Sequence, residues 1–147
     1  MNYVKADFPV DQIHTPMLMG LLFRQVHAIF ATEDWNGLRQ SHFRVISSVP
    51  EHGVTITELG ERVGMTKQGC GQFVAQLVRT GHLTSDRDPS DRRVRLVHRT
   101  PLGQQVIDAV LARNLRIEQD WAGRVGQERY RTFRGVLEEL ALGSLPD

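Results

Sequence analysis

The sequence predicts a mostly α-helical (α+β) fold: a helix-turn-helix with a β-hairpin wing, flanked by N- and C-terminal helices. Three observations predict it. Residues 55–81 run as a short amphipathic helix, a glycine turn and a longer amphipathic helix. Residues 82–100 read as two short strands around an arginine-rich, turn-forming tip. On both sides lie longer segments with helical rather than alternating apolar spacing.

The elements follow in order. Residues 1–14 read as a loosely ordered arm. Thr15-Pro16 marks a helix start, with Thr15 as cap and proline tolerated in the first turn. That helix runs to about Thr32, with Met17, Leu18, Leu21, Leu22, Val26, Ile29 and Phe30 at helical spacing. Met19 and Phe23 add apolar surface on other faces, so the helix needs more than one partner. Asn36-Gly37 breaks the chain. A second helix is expected over roughly Gln40–Glu51, burying Phe43, Ile46 and Val49 and limited by Pro50.

Thr55 and Glu58 have capping-box spacing. The helix they open carries Ile56, Leu59 and Val63 inward and ends at Gly64, where a left-handed cap is wanted. Thr66 caps the next helix. Its predicted buried stripe is Cys70, Phe73, Val74, Leu77 and Val78. Gln68, Gly71, Gln72, Ala75, Gln76 and Arg79 fall on the opposite, polar side, which carries no acid. Gly69 and Gly71 each weaken the helix by roughly 1 kcal/mol against alanine. Gly71, on the open side, suits a close backbone approach; Gly69 suits local packing. Gly81 stops the helix. Strands are expected at His82–Asp86 and Val94–His98, with Arg87 to Arg93 as the tip. Thr100-Pro101 starts a helix to about Val125, about 37 Å long at roughly 1.5 Å per residue. Gly126 separates a last helix, Gln127–Leu142, with Tyr130, Phe133, Leu137 and Leu140 as its stripe.

The 147 residues carry a net charge of +1, so overall charge says little about partners. Its distribution says more. Arg62 to Arg99 holds eight basic and three acidic residues, a net of +5, on a body whose net is −4. A local basic patch is what phosphate attraction requires. One cysteine, Cys70, excludes a disulfide framework and fits a reducing cytoplasm. No signal peptide is visible, and the longest apolar run, the seven residues Met17–Phe23, is far short of a membrane span.

The chemistry points to a duplex. Glutamine pairs bidentately with an adenine edge, and lysine or arginine with guanine or phosphate. Thr66, Lys67, Gln68, Gly71, Gln72 and Arg79 are therefore the candidate major-groove residues. Arg92, Arg93 and Arg95 are the candidates for backbone and minor groove, where a narrow groove concentrates negative potential. Asp91 is placed to brace Arg93 by a carboxylate pair. The six histidines show no ligand spacing, so neither a metal nor another cofactor is expected. No nucleophile triad, phosphate-binding glycine loop or paired-carboxylate motif is present, and an enzyme is not expected. Cys70, on the buried stripe, reads as a small hydrophobe. Trp35 and Trp121 read as core or interface anchors. The long C-terminal helix pair and the oversupplied first helix together imply a homodimer, and a two-fold dimer matches a palindromic site.

These residues resemble the MarR-type family of multiple-antibiotic-resistance regulators from about Thr15 to Leu142. The resemblance rests on Ile56-Thr57-Glu58-Leu59-Gly60-Glu61-Arg62-Val63-Gly64 leading into Thr66-Lys67-Gln68, on Gly81-His82-Leu83, and above all on the wing Asp88-Pro89-Ser90-Asp91-Arg92-Arg93. It continues into Thr100-Pro101-Leu102-Gly103. The resemblance implies a dimeric winged-helix repressor or activator of bacterial promoters. It implies Arg93 in the minor groove braced by Asp91, and an effector pocket between the dimerisation helices and the DNA-binding region. His27, Trp35 and His42 are the candidate pocket residues, since the first two helices border that pocket in the family. Arg99 departs from the family, which carries an apolar residue there. The reactive cysteine of the peroxide-sensing branch and the fifth-helix histidines of the zinc-sensing branch have no counterpart.

The expectation is one chain of this architecture over residues 1–147, with the winged helix-turn-helix at 40–100 and dimerisation helices at 15–34 and 101–142. It is expected to be a cytoplasmic, dimeric, sequence-specific regulator of double-stranded DNA, a repressor released by a small-molecule effector and independent of membranes. The alternative is a winged helix used as a protein-interaction or metal- or redox-sensing scaffold, which has no need of a braced arginine pair at its wing.

Overall fold

The computed structural model describes residues 13–143. Most of the expected N-terminal arm lies outside the described residues. The element order is α1 (Thr15–Ala31), α2 (Gln40–Ser47), α3 (Ile56–Val63), α4 (Lys67–Arg79), β1 (Leu83–Arg87), β2 (Arg95–Arg99), α5 (Pro101–Val125) and α6 (Gln127–Leu142). The chain divides into two compact units, one ending at Ala109 and one beginning at Val110.

In the first unit the helix ends follow their local chemistry. Thr55 and Glu58 form the expected capping box: the Glu58 amide donates to the Thr55 hydroxyl at 3.2 Å, and the Thr55 amide to the Glu58 carboxylate at 3.3 Å. Gly64 closes α3 at φ 67°, in the left-handed region. The Thr66 hydroxyl accepts the Gly69 amide at 3.1 Å to open α4. Thr100 does the same for Gly103 at the start of α5. One cap differs from expectation: His14, not Thr15, precedes α1, so Thr15 and Pro16 fill its first two helical positions.

Helix α2 is shorter than predicted. It stops at Ser47 rather than near Glu51, because Val49 precedes Pro50 and is steered away from helical backbone. The released carbonyls are collected by Arg99. Its guanidinium donates to Ile46 O at 3.1 Å, Ser47 O at 3.2 Å and Val49 O at 2.6 Å, and to Gln104 Oε1 at 2.7 Å. Arg44 similarly donates to the Val63 carbonyl at the end of α3.

The hairpin is antiparallel, pairing Leu83 with Arg99 and Arg87 with Arg95. Both strands begin one residue later than predicted. His82 is still part of the helix end: its amide bonds Leu77 O at 2.8 Å past Gly81, whose φ is 83°. Val94 closes the tip, its carbonyl accepting the Asp88 amide at 2.8 Å. Val54 adds a single bridge beside Val97, which the sequence pattern did not reveal. Gly103 is required by close approach, since a methyl there would collide with the His82 carbonyl.

The core gathers Val45, Ile46, Val49, Val54, Leu59, Val63, Cys70, Val74, Leu77, Leu83, Val97 and Ile107. Each aliphatic side chain buried there contributes about 1.5–3 kcal/mol relative to exposure. Val78, predicted to share the stripe, is 38% exposed. It sits at the stripe's edge, and Cys70, Val74 and Leu77 already fill the contact. In the second unit, Arg134 pairs with Glu118 at 2.5 Å and Glu138 at 3.0 Å. Leu111, Leu115, Phe133, Val136 and Leu140 are exposed there, as are Met17, Leu18, Met19 and Phe23 on α1. Among the described residues no helix is long and apolar enough to cross a membrane.

Two outcomes follow from these contacts. Arg99→Leu should lower the unfolding free energy by about 2 kcal/mol, because part-buried carbonyls lose a charged donor. Arg99→Lys should recover only part of this, lacking the forked guanidinium; urea denaturation followed by circular dichroism measures both, and unchanged midpoints would contradict the clamp. His82 gives a pH dependence. Burial, and then the nearby His42, pull its pKa below the ordinary 6.5. The native state therefore favours neutral His82. Its stabilising contribution is complete above the unfolded value and is lost as pH falls through the lower folded one. Urea midpoints should drop as pH falls below the ordinary value of 6.5, with a shallower slope in His82→Gln.

Candidate nucleic-acid interface

The open side of α4 is built by its periodicity. Gln68, Gln72, Gln76 and Arg79 recur at helical spacing and are all exposed, spanning about 16 Å of helix at about 1.5 Å per residue. Thr66 and Lys67 are exposed at its N-terminal end, and the first turn holds no acidic residue. Unpaired amides and the helix dipole make that end favourable for an anion. Gly71 is half-buried, and a methyl there would meet only Ile56, at an ordinary 3.9 Å. Packing within the chain thus leaves room for alanine. Gly69 is different: a methyl would press on the Thr66 capping oxygen at 3.1 Å.

The wing tip is held by its own side chains. The Asp88 carboxylate accepts the Ser90 amide at 2.9 Å and hydroxyl at 2.8 Å, which keep its pKa below the ordinary value. The Asp91 carboxylate accepts both the Arg93 amide at 3.1 Å and its Nε at 3.3 Å. The Arg93 side chain is nonetheless 92% exposed, so it is aimed outward from a fixed root. Arg92 is exposed beside it, and its carbonyl accepts from the Arg87 guanidinium at 3.2 Å. Arg95 lies across the hairpin, donating to Ser85 O at 2.8 Å and Ser85 Oγ at 3.4 Å.

The basic patch is therefore not uniform. Arg92 and Arg93 project from the tip, Arg95 is laid on the sheet, and Arg99 is turned inward onto α2. Ser85 and Arg87, which brace the wing, were not singled out from the sequence. Their signal is weak, because both partners lie across a hairpin rather than at a fixed helical offset.

A second feature is a cavity of about 770 Å³ beside the α1–α2 connection. His27, Phe30, Trp35, Leu38, Arg39 and Phe43 line it. The Trp35 indole donates to Phe30 O at 2.9 Å, and its ring packs on Phe30 and Phe43 at 5.5 and 4.9 Å between centroids. Of the three candidate pocket residues, His27 and Trp35 reach this cavity. His42 does not line it. The ring is 2% exposed and directed toward α4. Cys70 is fully buried, and burial pushes its thiol pKa up, away from the thiolate needed for redox chemistry. Among the described residues no group of three or more His, Cys, Asp or Glu side chains is placed to hold a metal ion.

The sequence profile described as the MarR family matches residues 36–94. A Thauera aromatica protein, provisionally named a transcriptional regulatory protein for the hcr operon, is 28% identical over 119 residues, covering 80% of this chain and 70% of that protein. The crystal structure of MarR superposes with a TM-score of 0.76 at 19% identity, covering 92% of this chain and 93% of that one. The PcaV transcriptional regulator from Streptomyces coelicolor, solved with its natural ligand, superposes with a TM-score of 0.69 at 23% identity, covering 95% and 99%. The likeness to these structures is one of fold.

Proposed function

We infer that this chain, which belongs to the MarR family of transcriptional regulators, acts as a homodimer on a palindromic duplex site and represses until a small molecule releases it. The observation that carries the reading is the wing tip: Arg93 is almost fully exposed yet rooted on Asp91. A surface arginine without a ligand gains little from such a brace, since exposed ion pairs contribute only about 0–1 kcal/mol. A brace does reduce the side-chain entropy lost when the guanidinium enters a narrow groove. In this reading Thr66, Lys67, Gln68 and Gln72 meet phosphates and base edges in the major groove, and Gly71 lets the backbone of α4 come close. Arg79 contacts backbone at the far end of α4, and Arg92 and Arg95 flank Arg93.

The dimer is supported by the exposed apolar residues of α1, α5 and α6, which a two-fold partner would cover. Effector release is supported by the aromatic cavity holding His27 and Trp35, and by the natural ligand bound to the similar PcaV. A cytoplasmic location agrees with the lone buried thiol.

The test is a salt-matched titration of a duplex selected from the source genome. Arg93→Ala should weaken binding at least about tenfold and lower the salt slope by about 1 for each phosphate left unneutralised. Gln72→Ala should relax base preference by about 1–3 kcal/mol at one position per half-site, while changing non-specific affinity little. Wild-type-like binding by Arg93→Ala would overturn the wing assignment, and unchanged sequence preference in Gln72→Ala would remove it as a reader.

A further inference from the structure

We propose that His42 is a positioning residue that couples the cavity wall to the DNA-reading helix α4, acting through Gln76. The inference rests on the reading just given for α4 and the cavity.

The imidazole sits between two elements and bonds to both. At the N-terminal end of α2, its Nδ1 accepts the Arg39 amide at 2.9 Å, in the manner of a capping box. That acceptance places the ring's proton on Nε2. Nε2 then donates to Gln76 Oε1, 3.3 Å away on α4. Phe73, also on α4, meets the ring edge-on at 5.2 Å between centroids. At 2% exposure, His42 has little access to water as a substitute partner.

Each end of this link is informative. Arg39, Gln40, Ser41 and Phe43, the residues bracketing His42, all line the cavity. Gln76 belongs to the exposed stripe that holds Gln68, Gln72 and Arg79. A displacement of the cavity wall moves the Arg39 amide and hence the ring. Rotation of the ring removes the donor from Gln76, whose side chain helps set the orientation of α4. Packing alone would be served by an apolar side chain at position 42. A histidine with both nitrogens engaged, one on each side of the α2–α4 contact, is the arrangement that transmits a preference. Coupling free energy is reciprocal, so the link must also run from α4 to the cavity. That direction can be read without knowing any effector, because Trp35 stands in the cavity wall and stacks against Phe43.

The experiment uses the full chain with Trp121→Phe, leaving Trp35 as the sole tryptophan. The probe is the duplex that the wild-type protein selects. Binding is measured independently by anisotropy of labelled duplex, and Trp35 emission and acrylamide quenching are recorded with and without saturating DNA. Trp35 quenching should change on DNA binding. His42→Asn keeps an oxygen near the Nδ1 position for the Arg39 amide but cannot reach Gln76, and it should lose the Trp35 response. Gln76→Met should lose it too, and the double variant should lose no more. His42→Gln places an amide nitrogen near Nε2 but offers no acceptor to the Arg39 amide, so it should lose the response as well. A Trp35 response in His42→Asn equal to wild type overturns the proposal. A double variant that loses clearly more of the response than either single variant also overturns it, because the two residues would then act independently. So does an absent Trp35 response in wild-type protein shown by anisotropy to be fully bound. Failure of the wild type to select or bind any duplex instead overturns the DNA-binding reading on which the proposal rests.

Discussion

The hydrogen bonds from Arg99 to the carbonyls of Ile46, Ser47 and Val49 are the interaction on which the arrangement of the winged helix depends. A helix end leaves carbonyls without intrahelical partners, and those of Ile46 and Val49 are part-buried. Here one guanidinium from β2 gathers them, and so ties the second wing strand to the end of α2. Leu83 pairs opposite Arg99, so β1 is fixed by the same residue. The tip that carries Asp91 and Arg93 is then a short extension from an anchored root. Arg44 performs a related task one helix along, at the Val63 carbonyl, where α3 turns into α4. Arg99, which counts toward the basic patch by composition, is thus structural, and the exposed charge of the wing tip is concentrated at Arg92 and Arg93.

This division explains how a chain of net charge +1 presents a concentrated cationic tip. Helix α4 carries only two charges, Lys67 and Arg79, one at each end, with glutamines between them and no acid. The wing carries the cationic tip. In the proposed reading, the uncharged middle of α4 discriminates by hydrogen-bond pattern, while the charged tip adds affinity that depends on salt rather than sequence. Separating the two on different elements lets a change in their relative placement weaken binding without altering either surface.

Much of this was legible in the sequence because the signals are local. Thr55 with Glu58, Gly64, Thr66 and Thr100-Pro101 each specify a helix end through partners three residues away, and each formed as expected. The bounds of α5 and α6 also agree with the spacing of their apolar residues and with Gly126. The brace between Asp91 and Arg93 spans two residues and was equally readable. What could not be read depends on partners distant in the chain. Arg99 lies more than fifty positions from the Ile46 carbonyl, and the link from His42 to Gln76 crosses thirty-four. Neither pairing has a periodic or motif signature, so His42 read as a cavity residue when its ring faces α4. The strand starts slipped by one residue because the end of α4 retains His82 for its own cap, a competition that alternation alone does not register.

In the proposed reading α4 reads the major groove while Arg93, fixed by Asp91, enters the flanking minor groove. Hydroxyl-radical footprinting on the selected duplex tests it most directly, comparing wild type with Arg93→Ala at concentrations that saturate both. The expected result is a two-fold-symmetric footprint in which minor-groove protection flanking each half-site disappears in Arg93→Ala while the central protection persists. Flanking protection that survives the substitution unchanged would contradict it.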